Sequence, residues 1–167
     1  MLVGDAMTPA NYGLWAEYSG SADTFGAALR RIVATIDLHQ TGSRMSLRPM
    51  PDHVVWGFHP QTAAPTGKHY ADHTVGPMRH FAASYLGTDW TPSWIELNYA
   101  KDHAARELAH FWHCDVRFEA PAIGLAIPLE LLSTRKPASN AGRPRPHITS
   151  VELLANARRR RGADSLH

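Results

Sequence analysis

The chain has 167 residues, 44% hydrophobic and 19% charged, with a formal net charge of +2 at pH 7. That composition fits a single folded domain with a real core and excludes an intrinsically disordered chain. A single cysteine excludes an internal disulfide framework, and no apolar run approaches the ~20 residues of a membrane span. The N-terminus, MLVGDAMTPANYG, has neither the basic start nor the apolar core of a secretion signal, so a reducing cytoplasm is the expected setting.

The charge is unevenly placed. Residues 1–133 carry 9 Lys+Arg against 13 Asp+Glu, and residues 134–167 carry 8 against 2. An acidic-leaning body therefore precedes a basic tail ending in Arg158–Arg161. Such a run can contact phosphate, but charge alone reads no sequence.

Residues 1–14 read as irregular. In SADTFGAALRRIVATIDLHQTG, Phe25, Leu29, Ile32 and Ile36 follow helical spacing, with Ser21 or Asp23 as candidate caps and Gly42 just past the end. SRMSLRPMPDHVVWGFHP reads as two strands around a Pro51-Asp52 turn. Its second strand turns Val54, Trp56 and Phe58 one way and Val55, Gly57 and His59 the other. QTAAPTGK is a loop, and HYADHTVGPMRHFAASYLG holds a helix that Pro77 either starts or kinks.

SWIELNYA is strand-like, with Ile95, Leu97 and Tyr99 on one face and Trp94, Glu96 and Asn98 on the other. Asp102 is positioned to cap a helix over HAARELAHFWH, and DVRFEA and GLAIPL are again strands. The expected fold is α+β: a short antiparallel sheet in the order ββ-α-β-α-ββ, following a first helix, with helices packed on one face. The sensing body would occupy residues 1–136, a Pro/Arg-rich linker residues 137–148, and a short basic helix or tail, capped by Thr149, residues 149–167.

Eleven histidines raise the question of a metal. On a wheel of residues 103–113, Ala104, Leu108 and Phe111 form the apolar stripe, while His103, Arg106, Glu107, His110 and His113 share the polar side. Glu107 and His110 match Glu-x-x-His, but no second copy exists to complete a di-metal bundle site. His69 and His73 are four apart, with His80 reachable only along an unbroken helix; two ligands fall short of a zinc site. A His-dependent metalloenzyme or metal-binding protein is thus the alternative reading. A third is a dimerisation module with no ligand. Cys114 between His113 and Asp115 reads as a buried, inert thiol, because adjacent side chains diverge. The sequence has no Gly-x-Ser-x-Gly elbow, phosphate loop or dinucleotide fingerprint.

Three stretches carry a family resemblance. TFGAALRRIVATIDLH resembles a Thr-(Leu)-Gly-x-Ala-Leu helix; GTDWTPSWIEL resembles a Gly-x-x-Trp-x-Pro-x-x-Val segment; FWHCDVRFEAPAIGLAIPLELLSTRKP resembles a Phe-Phe-Gly-Cys-Pro-Val-x-Phe ending. In this order, across residues 13–140, they resemble the arabinose-binding-type N-terminal domain of AraC-family transcription regulators. His113 and Asp115 stand where the family more commonly has Gly and Pro.

The resemblance implies a non-enzymatic, effector-sensing domain, without cofactor, that forms a homodimer and reaches DNA only through a helix-turn-helix module. About 20 residues remain beyond the linker, too few for that module, so the sequence is expected to be a truncated or partial regulator, or an excised domain. The effector would be a small molecule in a mostly apolar pocket. Face and chemistry make Trp15, Tyr18, Trp56, Phe58, Phe81, Tyr85, Trp94, Glu96 and Asn98 the candidate lining.

Overall fold

Thr24 starts the helix that organises the fold. Its backbone is extended and its side chain accepts the Ala27 N–H, so Thr24, not Ser21 or Asp23, is the N-cap of the helix Phe25–His39, the second in the chain and labelled α2. Ser21 is otherwise engaged: its hydroxyl donates to the Tyr18 carbonyl and accepts from Arg31. Gly26 follows two residues on, where a Cβ would lie 3.0 Å from the Leu132 carbonyl oxygen, a tight contact that glycine avoids as the helix lies against that backbone.

The computed structural model describes residues 12–61, 68–137, 149 and 152–154. Before α2 comes α1 (Gly13–Gly20), a helix absent from the sequence reading. Its buried residues are Ala16, Ser19 and Gly20, small groups that leave no hydrophobic period to detect. Next come β1 (Arg44–Pro49), β2 (His53–His59) and α3 (Lys68–Leu86). Pro77 sits inside α3 and neither starts nor ends it. Then follow β3 (Trp94–Glu96), α4 (Ala105–Trp112), β4 (Asp115–Arg117), β5 (Ile123–Pro128) and a 3-10 turn over Leu129–Ser133.

The five strands form one sheet in the order β1-β2-β5-β3-β4. The expected element order holds, and the pairings β1/β2, β2/β5 and β3/β5 are antiparallel. The β3/β4 pair is parallel, because α4 carries the chain back across before β4 begins. Both strands are shorter than their strand-like stretches: beyond three residues each, the backbone turns away into loop contacts such as Glu119 N–H to the Tyr99 carbonyl.

The helices gather on one face of the sheet. There Val54, Trp56 and Phe58 of β2 and Ile123, Leu125 and Ile127 of β5 meet Leu29, Ile32 and Ile36 of α2 and Val75, Met78 and Ala82 of α3. The opposite face buries Val55, Trp94 and Ala126, with Met50 alongside. The alternation read along β2 and β3 is therefore the alternation of these two faces. In α4 the buried residues are Ala105, Leu108 and Trp112; Phe111 is 39% exposed, lying edge-on to the Trp112 ring and outside the apolar stripe expected of it. His103, Arg106, Glu107, His110 and His113 are exposed, as the wheel places them.

Asp102 accepts the Ala104 N–H and so steers the chain into α4. Thr149 and Glu152 form a reciprocal capping box: the Glu152 N–H donates to Thr149 Oγ1 and the Thr149 N–H to the Glu152 carboxylate. The Thr149 N–H and the Thr149 hydroxyl, both donating to the carboxylate, hold the Glu152 carboxyl below its ordinary value. The linker expected at 137–148 and the basic helix expected to run on to Arg161 fall, from 138 on and apart from 149 and 152–154, outside the described residues.

Two predictions arise at the α4–β4 junction. His113 ends α4 in the left-handed region, at φ 53° and ψ 34°. A side chain costs about 1–2 kcal/mol there, offset in part by glycine's greater freedom when unfolded. His113→Gly is expected to stabilise the domain by about 0.5–1 kcal/mol and raise its Tm by about 2–4 °C. A lower midpoint in thermal denaturation would show that the histidine holds the junction by some other contact.

At the next residue, burial pushes the Cys114 thiol up to about 11 from an ordinary 9.0, against the lowering effect of nearby Arg79 and with a smaller push from Asp115. Below pH 9 both folded and unfolded thiols are protonated. As pH rises from 9.0 towards about 11 the unfolded thiol ionises first, so whatever stability Cys114 contributes is lost across that window. Alkylation by iodoacetamide at neutral pH should be about a hundredfold slower in the folded chain than in the denatured one, as its thiolate fraction falls by two pH units. Equal rates would sink this reading of the junction.

Candidate functional site

Between the sheet and the first three helices lies a cavity of about 280 Å³. Its floor is made by Met45 of β1 with Trp56 and Phe58 of β2. The first helical wall is Tyr12, Trp15 and Ala16; the second is Ile32, Ile36, His39 and Gln40 along one stripe of α2. The third is Tyr70, His73, Thr74, Pro77, Met78 and Phe81, which recur every three or four residues on one side of α3. The volume lies near the lower end of the range for small-molecule sites, roughly 300–1,000 Å³.

Aromatic contacts shape these walls. Trp15 stacks on His39 at 4.7 Å between centroids with a 13° interplanar angle, and Tyr12 leans on both rings. Trp56 meets Phe81 edge-on at 5.9 Å, and Phe58 meets Tyr70 at 6.2 Å. Burial raises the Tyr12 hydroxyl above its ordinary value, which keeps the phenol neutral.

Several polar groups in the walls are already engaged. The Trp15 indole N–H donates to Thr35 Oγ1 at 3.0 Å, Gln40 Nε2 donates to the Tyr70 hydroxyl at 3.2 Å, and the Thr74 hydroxyl donates to the Tyr70 carbonyl at 2.9 Å. Trp56 differs. It is 1% exposed, and its indole Nε1–H has no hydrogen-bond partner among the described residues. An unmet buried donor costs about 1–3 kcal/mol.

Of the nine residues expected as lining, the structure brings Trp15, Trp56, Phe58 and Phe81 to the cavity. Tyr18 lies on the outer side of α1, under the Arg31 guanidinium at 4.8 Å. Tyr85 is buried below the α1–α2 corner, where its hydroxyl donates to the Gly20 and Ala22 carbonyls. Trp94 and Glu96 belong to the other face of the sheet. There Arg48 donates to both Glu96 carboxylate oxygens at 2.6 and 2.7 Å, the Trp94 indole N–H donates to Glu96, and Arg117 lies 3.7 Å over the Trp94 ring. Asn98 follows β3 and does not line the cavity.

The residues missed are chiefly Tyr12, His39, Gln40, Tyr70, Thr74 and Met78. The signal that could have found them is the Ile32–Ile36–Gln40 line on α2 and the His73–Pro77–Phe81 line on α3, each at intervals of four.

The cavity's helical walls are tied to residues 134–136. Phe25 N–H, at the start of α2, donates to the Thr134 carbonyl at 2.9 Å, and Lys136 N–H donates to the Asp23 carbonyl. Lys136 Nζ donates to the Gly20 carbonyl at 2.7 Å, and Thr24 forms an isolated β-bridge with Arg135.

The metal reading finds no support. Among the described residues no group of three or more His, Cys, Asp or Glu side chains is placed to hold an ion. α3 does run unbroken past Pro77 to His80, but His73 forms part of the cavity wall, and the side chain of His69 lies outside the described set. Among the described residues, no helix is long and apolar enough to cross a membrane.

No curated protein matches the sequence. Among solved structures, the crystal structure of transcriptional regulator CdpR from Pseudomonas aeruginosa shares the fold, with a TM-score of 0.67 at 18% identity over 91% of this chain. The match covers 47% of that protein, so the present chain spans about half its length. Residues 1–135 match the family model described as the arabinose-binding domain of AraC transcription regulator, N-terminal. That match takes in all three cavity-bearing helices and the whole sheet, and the chain belongs to this family of ligand-sensing, regulatory AraC-type domains.

Proposed function

We propose that the cavity between α1, α2, α3 and the sheet is the effector site, and that its occupancy is read at residues 134–136. The observation that carries this is the pairing of a mainly apolar cavity with a hydrogen-bonded tie from its walls to the chain's exit. An effector that fits one arrangement of α1 and α2 better than another shifts their equilibrium. The shift passes through Phe25–Thr134 and Gly20–Lys136 to whatever the exit segment carries.

In this reading residues 1–136 are the sensor, 137–148 the linker and 149–167 a basic helix or tail. The assembly works as a cytoplasmic homodimer, and DNA is read by a helix-turn-helix module of the whole regulator rather than by these residues. Trp15, Trp56, Phe58 and Phe81 are the expected ligand contacts; Tyr85 acts through the α1–α2 corner.

A thermal-shift screen of small metabolites tests the site, since a molecule bound to the folded state alone raises its stability. Ala16→Leu puts extra carbon into a cavity wall, and should leave the Tm of the free domain within a few degrees while abolishing the ligand-induced shift. A ligand whose shift survives this substitution binds elsewhere. Tyr85→Phe deletes two hydrogen bonds and should cost about 1–3 kcal/mol, while ligand binding persists. In that variant, ligand-dependent hydrogen-exchange protection at 131–136 should fall; undiminished protection would remove the Tyr85 tie from the transmission route.

A further inference from the structure

The cavity's walls sort by polarity along its length. Ile32 and Ile36 of α2 and Met78 and Phe81 of α3 are buried and apolar. The lining residues that bring hydroxyl, imidazole or amide groups are Tyr12, His39, Gln40, Tyr70, His73 and Thr74, and all six are half-buried or exposed. Two contacts show that α2 and α3 run antiparallel. Phe25, which starts α2, meets Tyr85 near the end of α3, and Gln40, just past α2, donates to Tyr70 in the first turn of α3. The polar groups of both helices therefore fall at one end of the cavity, and their apolar groups toward the other. Tyr12 leans on His39 and so brings the start of α1 to the polar end.

At the polar end, donors remain to be used. Tyr70 accepts from Gln40 and keeps its own O–H to give, and the bond between them is open to solvent. The His73 imidazole makes no hydrogen bond among the described residues, and it lies within one turn of Tyr70 on the cavity side of α3. Gln40 has a second amide N–H besides the one given to Tyr70. Among the described lining residues there is no carboxylate, so a cationic head would find no counter-charge there. The other end supplies aliphatic, thioether and ring surface, which gains by covering carbon. Phe81 at that end meets Tyr85 at 5.9 Å, one ring from the α1–α2 corner.

Building on the effector-site reading, we propose that the cavity takes a small amphiphile with an oxygen head, a carboxylate or a hydroxyl, at Tyr70 and His73 and a carbon body running between α2 and α3 toward Ile32, Met78 and Phe81. The volume of about 280 Å³ equals roughly nine waters at the liquid's density, which limits the molecule to about that many non-hydrogen atoms. Head and body are read by different residues: the half-buried donors select chemistry, and the buried end selects length.

The test titrates the full chain with three eight-carbon probes: octanoate, 1-octanol and octylammonium. The first carries an anionic oxygen head, the second a neutral one, and the third a cationic nitrogen at similar amphipathicity. Nuclear Overhauser contacts between an unlabelled probe and the ¹³C-labelled chain give its direction. The terminal methyl should lie against the Met78 methyl, and the protons beside the head against the His73 ring.

At least one of octanoate and 1-octanol should bind about tenfold more tightly than octylammonium, and the tighter of the two identifies the head as anionic or neutral. Tyr70→Phe keeps the ring against Phe58 and deletes the hydroxyl; it should weaken that probe about tenfold, the effect of one good hydrogen bond, and leave octylammonium unchanged. Should that variant not fold, His73→Leu tests the same head. Binding of none of the probes, similar binding of all three, the opposite direction in the cavity, or undiminished binding to the head variant overturns the proposal. In each of those cases a metabolite shift that Ala16→Leu abolishes would still uphold the effector site, so the two readings fail separately.

Discussion

One carbonyl oxygen, that of Gly20, joins three parts of the chain. It accepts from the Tyr85 hydroxyl of α3 and from Lys136 Nζ at the domain's exit, while it closes α1. The geometry around it explains the residues used. Tyr85 serves two ends at once: its buried ring fills the space beside Phe25, at 5.6 Å, and its hydroxyl reaches the Gly20 and Ala22 carbonyls at the α1–α2 corner. Lys136 reaches across the same ring, 5.2 Å from its centroid, so its charge is met by a carbonyl and a π face. Loosening this point would free α1, and with it Trp15 and Ala16 of the cavity wall.

The sheet divides the molecule's chemistry into two. On the helix-covered face the inward residues are apolar or aromatic. On the other, a carboxylate is 5% exposed yet matched: Glu96 takes both bonds from Arg48 and a third from the Trp94 indole. Such an arrangement fixes the positions of β1 and β3 across the sheet, although it adds little net stability beyond satisfying the charge. The polar network and the cavity lie on opposite faces of the same sheet and share only β1, through Arg48 and Met45.

The strands, the α2 stripe and the two faces of β2 were legible because burial imposes a period that the sequence must carry, whereas in α4 the stripe turned toward Ala105 and Trp112 and left Phe111 outside. Gly26 and Thr24 were visible as motif residues, but their reasons were not: a carbonyl 3.0 Å from an absent Cβ is a tertiary fact. α1 escaped notice because its buried side is Ala16, Ser19 and Gly20, and Pro77 disguised a continuous helix. The nine candidate lining residues are divided between the cavity and other parts of the fold for a related reason. Aromatic character marks both cores and pockets, and nothing in the sequence distinguishes Trp56, whose N–H is unmatched, from Trp94, whose N–H is bonded to Glu96. The lateral match of α2 against α3, which brings Gln40 to the Tyr70 hydroxyl, depends on packing over 30 residues of separation.

Pro77 has a consequence for kinetics. It has no N–H to give the His73 carbonyl one turn earlier, so α3 lacks an internal bond where both residues face the cavity. A helix is easiest to bend at such a point. The stretch before it carries Tyr70, His73 and Thr74; the stretch after it carries Met78 and Phe81. In the effector site proposed above, the missing bond would let α3 flex between these two stretches while the sheet stays intact, so that affinity would rest on the floor of Met45, Trp56 and Phe58 and residence time on the give at Gly76-Pro77.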